Sequence, residues 1–230
     1  MANTIEKCKN IIVCGHFGSG KTNISVALAK LFAEKHERKV TLLDFDIVNP
    51  YFRAADSEKE LNNAGINTIL PMFANTNVDI PTIDASVNRV FDSKDETSLA
   101  IFDVGGDNGA VALGKFNAEF KRMGYCMLYI TNMYRPLTET AELCLENIAE
   151  IEYYSRLKFT HIINNSNLGR ETEKSTVTDS FKYADELYKK TSLPLLFTTV
   201  VKSEFSKELI NEYPDKNILE IKNSTKKLFL

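Results

Sequence analysis

The stretch Val13-Cys14-Gly15-His16-Phe17-Gly18-Ser19-Gly20-Lys21-Thr22 contains GHFGSGKT, a match to the spacing GxxxxGK(S/T) lying directly between an apolar run and a helical pattern. Glycines at this spacing let the backbone turn tightly around phosphate oxygens. The amides then point inward as an anion nest, and the following helix offers its positive end. The pattern predicts a phosphate-binding loop and a nucleoside triphosphate ligand. All eight residues from Gly15 to Thr22 are candidates for nucleotide contact, with Lys21 along the β and γ phosphates and the Thr22 hydroxyl on Mg2+.

Outward from this loop, apolar runs alternate with helical patterns. Asn10 to Cys14 precedes a helix over Lys21 to Glu37, and further runs occupy Val40 to Leu43, Leu99 to Val104, Cys126 to Thr131, Thr160 to Asn164 and Leu193 to Val200. In the first helix Ile24, Ala27, Leu28 and Leu31 form an inward stripe. Further helices are predicted over Thr138 to Tyr154, after Pro136, and over Thr172 to Lys190, before Pro194. Alternation of this kind predicts an α/β fold: a doubly wound, mostly parallel sheet of about seven strands with helices on both faces. The length prior makes residues 1–230 a single domain. The least regular interval is Pro50 to Ser98, with short helices predicted at Ser57 to Ala64 and Ala85 to Phe91 around an apolar run at Ile66 to Leu70.

Two further strand ends carry carboxylates. Val40 to Leu43 empties into Asp44-Phe45-Asp46, and carboxylates at i and i+2 share a face in extended backbone, so both can address one metal-phosphate centre. Leu99 to Phe102 ends in Asp103, followed by Val104, Gly105 and Gly106; this DxxG spacing sets a metal-facing carboxylate beside a flexible glycine directed at the γ-phosphate.

GHFGSGKT, LLDFDIVNP and IFDVGGD, in that order, resemble the MinD/ParA/nitrogenase-iron-protein group of P-loop ATPases, to which the CobQ-type ATPase domains and dethiobiotin synthetase are related. The resemblance covers nearly the whole chain. It implies that Lys21 and Thr22 bind phosphate and Mg2+, that Asp46 holds or activates the attacking water, and that Asp44 supports the metal environment. By the same resemblance Asp103 is linked to Mg2+ through water, Gly106 is the switch glycine, and Asn165 in His161-Ile162-Ile163-Asn164-Asn165-Ser166 meets the adenine edge. No NKxD base reader is present, which disfavours guanine and makes ATP or ADP with Mg2+ the expected ligands. In dimerising members a lysine follows the first glycine; here that position is His16, which supplies no fixed charge at neutral pH. A sandwich dimer with a trans-acting lysine is therefore not implied.

Composition bounds the rest. With 28 basic against 31 acidic side chains, a formal charge of −3, there is no global attraction to nucleic acid or an anionic membrane. The start MANTIEKCKN lacks an apolar region of about 7 to 15 residues, and no stretch reaches the roughly 18 apolar residues of a membrane span. A cytoplasmic location follows as the expectation. Cys14 and Cys126 read as buried thiols in a reducing compartment, with no CxxC pair among the four cysteines. Arg53 and Arg135 read as loop-surface residues, with service to a partner or a substrate as the alternative.

Three function classes are compatible with these motifs. A slow Mg2+-dependent ATPase would act as a nucleotide-controlled switch, moving Pro50 to Ser98 and Asp103 to Ala110 for a protein partner or a nucleotide-dependent homodimer. A small-molecule ligase or kinase resembling dethiobiotin synthetase would use the irregular region to close over an acceptor. A nucleotide-gated adaptor or maturation protein would show little turnover.

Overall fold

The computed structural model describes residues 3–35, 38–45, 55–69 and 87–222. The elements in chain order are α1 (Asn3–Glu6), β1 (Asn10–Cys14), α2 (Lys21–Lys35), β2 (Lys39–Asp44), α3 (Ala55–Asn63), β3 (Asn67–Ile69) and α4 (87–91). They continue with β4 (Ser98–Asp103), α5 (Gly106–Gly114), α6 (Asn117–Met123), β5 (Cys126–Thr131), α7 (Ala141–Ser155) and β6 (His161–Asn164), then α8 (Lys174–Thr191), β7 (Leu195–Val201), α9 (Ser206–Glu212) and β8 (Ile218–Ile221).

The strands form one eight-stranded sheet in the order β3-β2-β4-β1-β5-β6-β7-β8, and every pairing is parallel. Parallel strands need helical crossovers, and those cover both faces. The central strands β1 and β5 are accordingly buried from end to end. Period-two alternation divides their side chains between two cores. Ile12, Phe102 and Tyr129 face the core shared with α5, α7 and α8, while Ile11, Ile101 and Leu128 face the core shared with α2.

The sheet has one strand more than expected. Ile218-Leu219-Glu220-Ile221 forms an edge strand buried only at Ile221, so its sequence lacks the apolar continuity that marks the central strands. Asp103 to Ala110 runs from the end of β4 into α5, helical from Gly106 onward, with Gly105 extended as the residue before it. Helix α7 begins at Ala141, later than Thr138, because the Thr140 hydroxyl caps it by accepting from the Leu143 amide.

Cys126 requires a correction. Cys14 is a buried thiol as expected, but Cys126 is disulfide-bonded to Cys8, their Cα atoms 6.2 Å apart across 118 residues of sequence. Parallel pairing of β1 with β5 sets Cys126 beside Ile11, close to the turn that follows α1, a proximity no spacing reveals. Cys126 therefore lends no support to a compartment inferred from free thiols.

His161 opens β6 at 7% exposure, and burial lowers its imidazole pKa below the ordinary 6.5. The unfolded chain then binds a proton more readily than the folded one, so stability falls as pH drops from 6.5 toward the lower folded value. Urea midpoints at pH 7.5 and 5.5 should differ less in His161→Gln than in the parent. An unchanged pH slope in that variant would assign the dependence to other groups.

Candidate functional site

Loop 15–20 joins β1 to α2 at the carboxyl edge of the sheet, where β2, β4, β5 and β6 also end. Two glycines show why the chain needs this composition. Gly15 has φ +155°, and a Cβ there would stand 2.3 Å from the Ile130 carbonyl oxygen of the adjacent strand β5. Gly20 has φ +89°, and a Cβ would stand 2.2 Å from Nδ2 of Asn165. The loop thus lies pressed against its neighbours, at Gly15 against backbone that leaves no room for a side chain.

Within the loop, the Ser19 amide donates to the His16 carbonyl at 3.2 Å and Lys21 Nζ donates to the same oxygen at 3.1 Å. The lysine folds back over the loop it follows and is 9% exposed. Among the described residues the buried Ser19 hydroxyl has no hydrogen-bond partner. His16 Nδ1 lies 3.0 Å from the Phe17 carbonyl oxygen, and the Phe17 ring is 71% exposed.

Asp103, at the end of β4 and 3% exposed, receives the Thr22 hydroxyl at 2.7 Å on one carboxylate oxygen and the Ser25 hydroxyl at 3.1 Å on the other. Thr22 and Ser25 are three apart on α2 and so share one face. In the parallel register Asp44 stands beside Asp103, and the Phe45 amide donates to the Asp103 carbonyl at 2.7 Å. Asp44 is itself buried. Cys14 lies close enough to feel both Lys21 and Asp103, but burial dominates and pushes its thiol pKa far up, leaving it neutral.

Asn165 stands under the loop from the end of β6. Its Nδ2 donates to the Ser19 carbonyl at 2.6 Å, and its Oδ1 accepts the Thr199 hydroxyl at 2.5 Å. The structure thus brings Gly15 to Thr22, Asp44, Asp103 and Asn165 to one edge. Gly106 opens α5 three residues after Asp103, whereas Asp46 and Arg53 lie outside the described residues.

Three participants escape a reading of the sequence. Ser25 is one of many serines, and only the helical spacing from Thr22 hints at it. Thr199 sits in a strand whose end offers no distinctive side chain. Arg135, read as a loop-surface residue, donates from Nε to the Gly18 carbonyl at 3.1 Å, although its side chain is exposed.

Hard oxygen donors such as the Thr22 hydroxyl and the two carboxylates fit a Mg2+ ion, while the lysine, the unpartnered Ser19 hydroxyl and the glycine cradle fit phosphate. Among the described residues no helix is long and apolar enough to cross a membrane.

Solved structures agree with this topology. The fold is similar to that of the nucleotide-binding protein of Archaeoglobus fulgidus in complex with ADP, with a TM-score of 0.56 at 16% identity over 90% of this chain and 88% of that one. It is also similar to the cell division protein FtsY of Thermotoga maritima (TM-score 0.51, 18% identity, 83% of this chain and 61% of that one). Chloroplast FtsY of Physcomitrella patens gives a TM-score of 0.54 at 16% identity, over 85% of this chain and 59% of that one. The chain thus spans about three fifths of the length of each of these FtsY proteins. At such identities the likeness is one of fold. No curated protein matches the sequence. The profile of the CobQ/CobB/MinD/ParA nucleotide-binding domain, however, matches residues 11–228, taking in the glycine loop, both carboxylate strand ends and Asn165. With the match running from β1 to beyond β8, the chain belongs to the CobQ/CobB/MinD/ParA nucleotide-binding domain family.

Proposed function

We propose that residues 1–230 work as one Mg2+-dependent ATP-binding unit, a slow ATPase whose nucleotide state is read by a protein partner. The observation that carries this reading is the convergence on Asp103. Its carboxylate holds the hydroxyl of the residue directly after Lys21, with Asp44 alongside in register. A triphosphate needs an anion-binding nest for its oxygens and a carboxylate-hydroxyl set for its metal, and the two occur here within one turn of α2.

In this reading the amides of Gly15 to Thr22 and Lys21 Nζ bind the β and γ phosphates, with Lys21 exchanging the His16 carbonyl for phosphate oxygen. Thr22, Asp44 and Asp103 hold Mg2+, which when bound neutralises charge on the phosphates. Asp46, two residues beyond Asp44, orients the attacking water. Asn165 directs a side-chain amide toward the adenine edge while bracing Ser19. The Gly105–Gly106 junction, between Asp103 and α5, carries the γ-phosphate state into α5.

Calorimetry with MgATP and MgGTP tests the ligand, and tighter binding of GTP would overturn the adenine assignment. For catalysis, Asp46→Ala should retain MgATP affinity to within a few-fold yet lose phosphate release by roughly a hundred-fold, the range of general-base losses. Release at the parental rate from the folded variant would remove Asp46 from the chemistry. Hydrogen exchange compared between ADP and a non-hydrolysable ATP analogue tests the switch; equal protection of 103–110 in both states would count against it.

A further inference from the structure

Arg135 lies against the crest of the glycine loop, and its position is built. The loop 132–138 that carries it is closed by the Arg135 amide on the Asn132 carbonyl at 3.1 Å and the Thr138 amide on the Arg135 carbonyl at 2.9 Å. The Thr138 hydroxyl donates to the same Asn132 carbonyl at 2.7 Å, and the Asn132 side-chain oxygen accepts the Tyr134 amide at 2.9 Å. Underneath, Tyr183 donates its hydroxyl to the Thr138 carbonyl at 2.6 Å and also meets Thr131 and Cys144, tying the loop to β5, α7 and α8. Pro136 disfavours helical backbone at Arg135.

From this mount the side chain reaches across to the glycine loop. A Cβ placed on Gly18 would stand 3.6 Å from Arg135 Nε and 3.7 Å from its Cδ, so the guanidinium lies directly on the loop. Among the described residues only Nε is engaged, by the Gly18 carbonyl. Among the described residues Arg135 forms no ion pair, whereas nine other contacts join lysines to carboxylates across the surface. A permanent cation held on a phosphate loop with its two-nitrogen fork uncommitted has the geometry that recognises phosphate oxygens.

We infer that Arg135 is a phosphate-binding residue: Nε stays on the Gly18 carbonyl while the terminal guanidinium nitrogens take oxygen of a bound nucleotide's polyphosphate. The inference rests on the nucleotide-binding reading above and deepens it, because it supplies in cis a fixed positive charge beside a loop whose second position is His16.

Glutamine and lysine separate this role from bracing. The Nε2 of glutamine stands as many bonds from Cβ as the Nε of arginine, so Arg135→Gln keeps a donor for Gly18 and removes the charge; Arg135→Lys keeps the charge. Calorimetric titration of the parent and both variants with MgATP, MgADP and adenosine, at low and high salt, is the test, with thermal melting of each ligand-free protein alongside. Arg135→Gln should bind both nucleotides roughly ten-fold or more weakly, the size of one charge-assisted bond, with a shallower salt dependence and unchanged adenosine affinity. Arg135→Lys should fall between that variant and the parent. Parental affinity for both nucleotides in Arg135→Gln would overturn the inference. So would equal weakening in both variants with lowered melting temperatures, which is the signature of a brace. A parent that binds neither nucleotide would instead overturn the underlying reading.

Discussion

Lys21→Ala is expected to lower MgATP and MgADP affinity by roughly a hundred-fold or more, the largest loss of any single side chain in the site. Lys21 is almost fully buried at the mouth of α2, and Nζ already sits over the loop on the His16 carbonyl. A charge-assisted bond to phosphate from such a position forms where little water competes, which places it at or above the upper end of the usual range of about 1.5 to 3 kcal/mol. The fold should survive, because Asn165 on the Ser19 carbonyl and Arg135 on the Gly18 carbonyl still hold the loop. Calorimetry with a melting control checks both halves. A well-folded Lys21→Ala that binds MgADP as the parent does would move the nucleotide away from this loop.

The second large effect concerns the scaffold. Gly15→Ala should destabilise the protein by roughly 3 kcal/mol or more, the range reached when strain and overlap combine. The added Cβ would meet the Ile130 backbone oxygen at 2.3 Å, and that oxygen belongs to a central, fully buried strand that cannot withdraw. The positive φ adds conformational strain for any L side chain. Gly20→Ala meets the Asn165 amide instead, a side chain that can rotate away at the expense of its bonds to Ser19 and Thr199, so its loss should be smaller in stability. Denaturant midpoints order the two. Equal midpoints for Gly15→Ala and the parent would mean that the loop does not lie against β5.

Much of the sheet and half of the site were legible in the sequence because they depend on local pattern. The strands β1, β4 and β5 are buried on both faces and read as unbroken apolar runs, and GHFGSGKT carries its own spacing. Asp44 and Asp103 were legible as acids ending such strands. The remainder arises from contacts between distant segments. Asn165 reaches Ser19 across 146 residues, Arg135 reaches Gly18 across 117, and Cys8 meets Cys126 across 118. A reading of Arg135 as a loop-surface residue is reasonable until the parallel register sets the end of β5 beside the glycine loop, and Asn165, singled out by resemblance alone, shows its bond to Ser19 only in that register. Strand β8 was missed for a different reason: an edge strand buries too little to display a pattern.

The glycine loop keeps its shape through its neighbours. Asn165 holds the Ser19 carbonyl, Arg135 holds the Gly18 carbonyl, and Asp103 holds the Thr22 hydroxyl. The loop is thus fixed by three segments distant from it in sequence. A loop already held from several sides orders little new chain when an anion binds, so the entropic penalty of loop closure has been met before the encounter. The consequence is kinetic. Capture should proceed at a rate set mainly by diffusion and charge steering, and differences among ligands should be found in how long each remains bound.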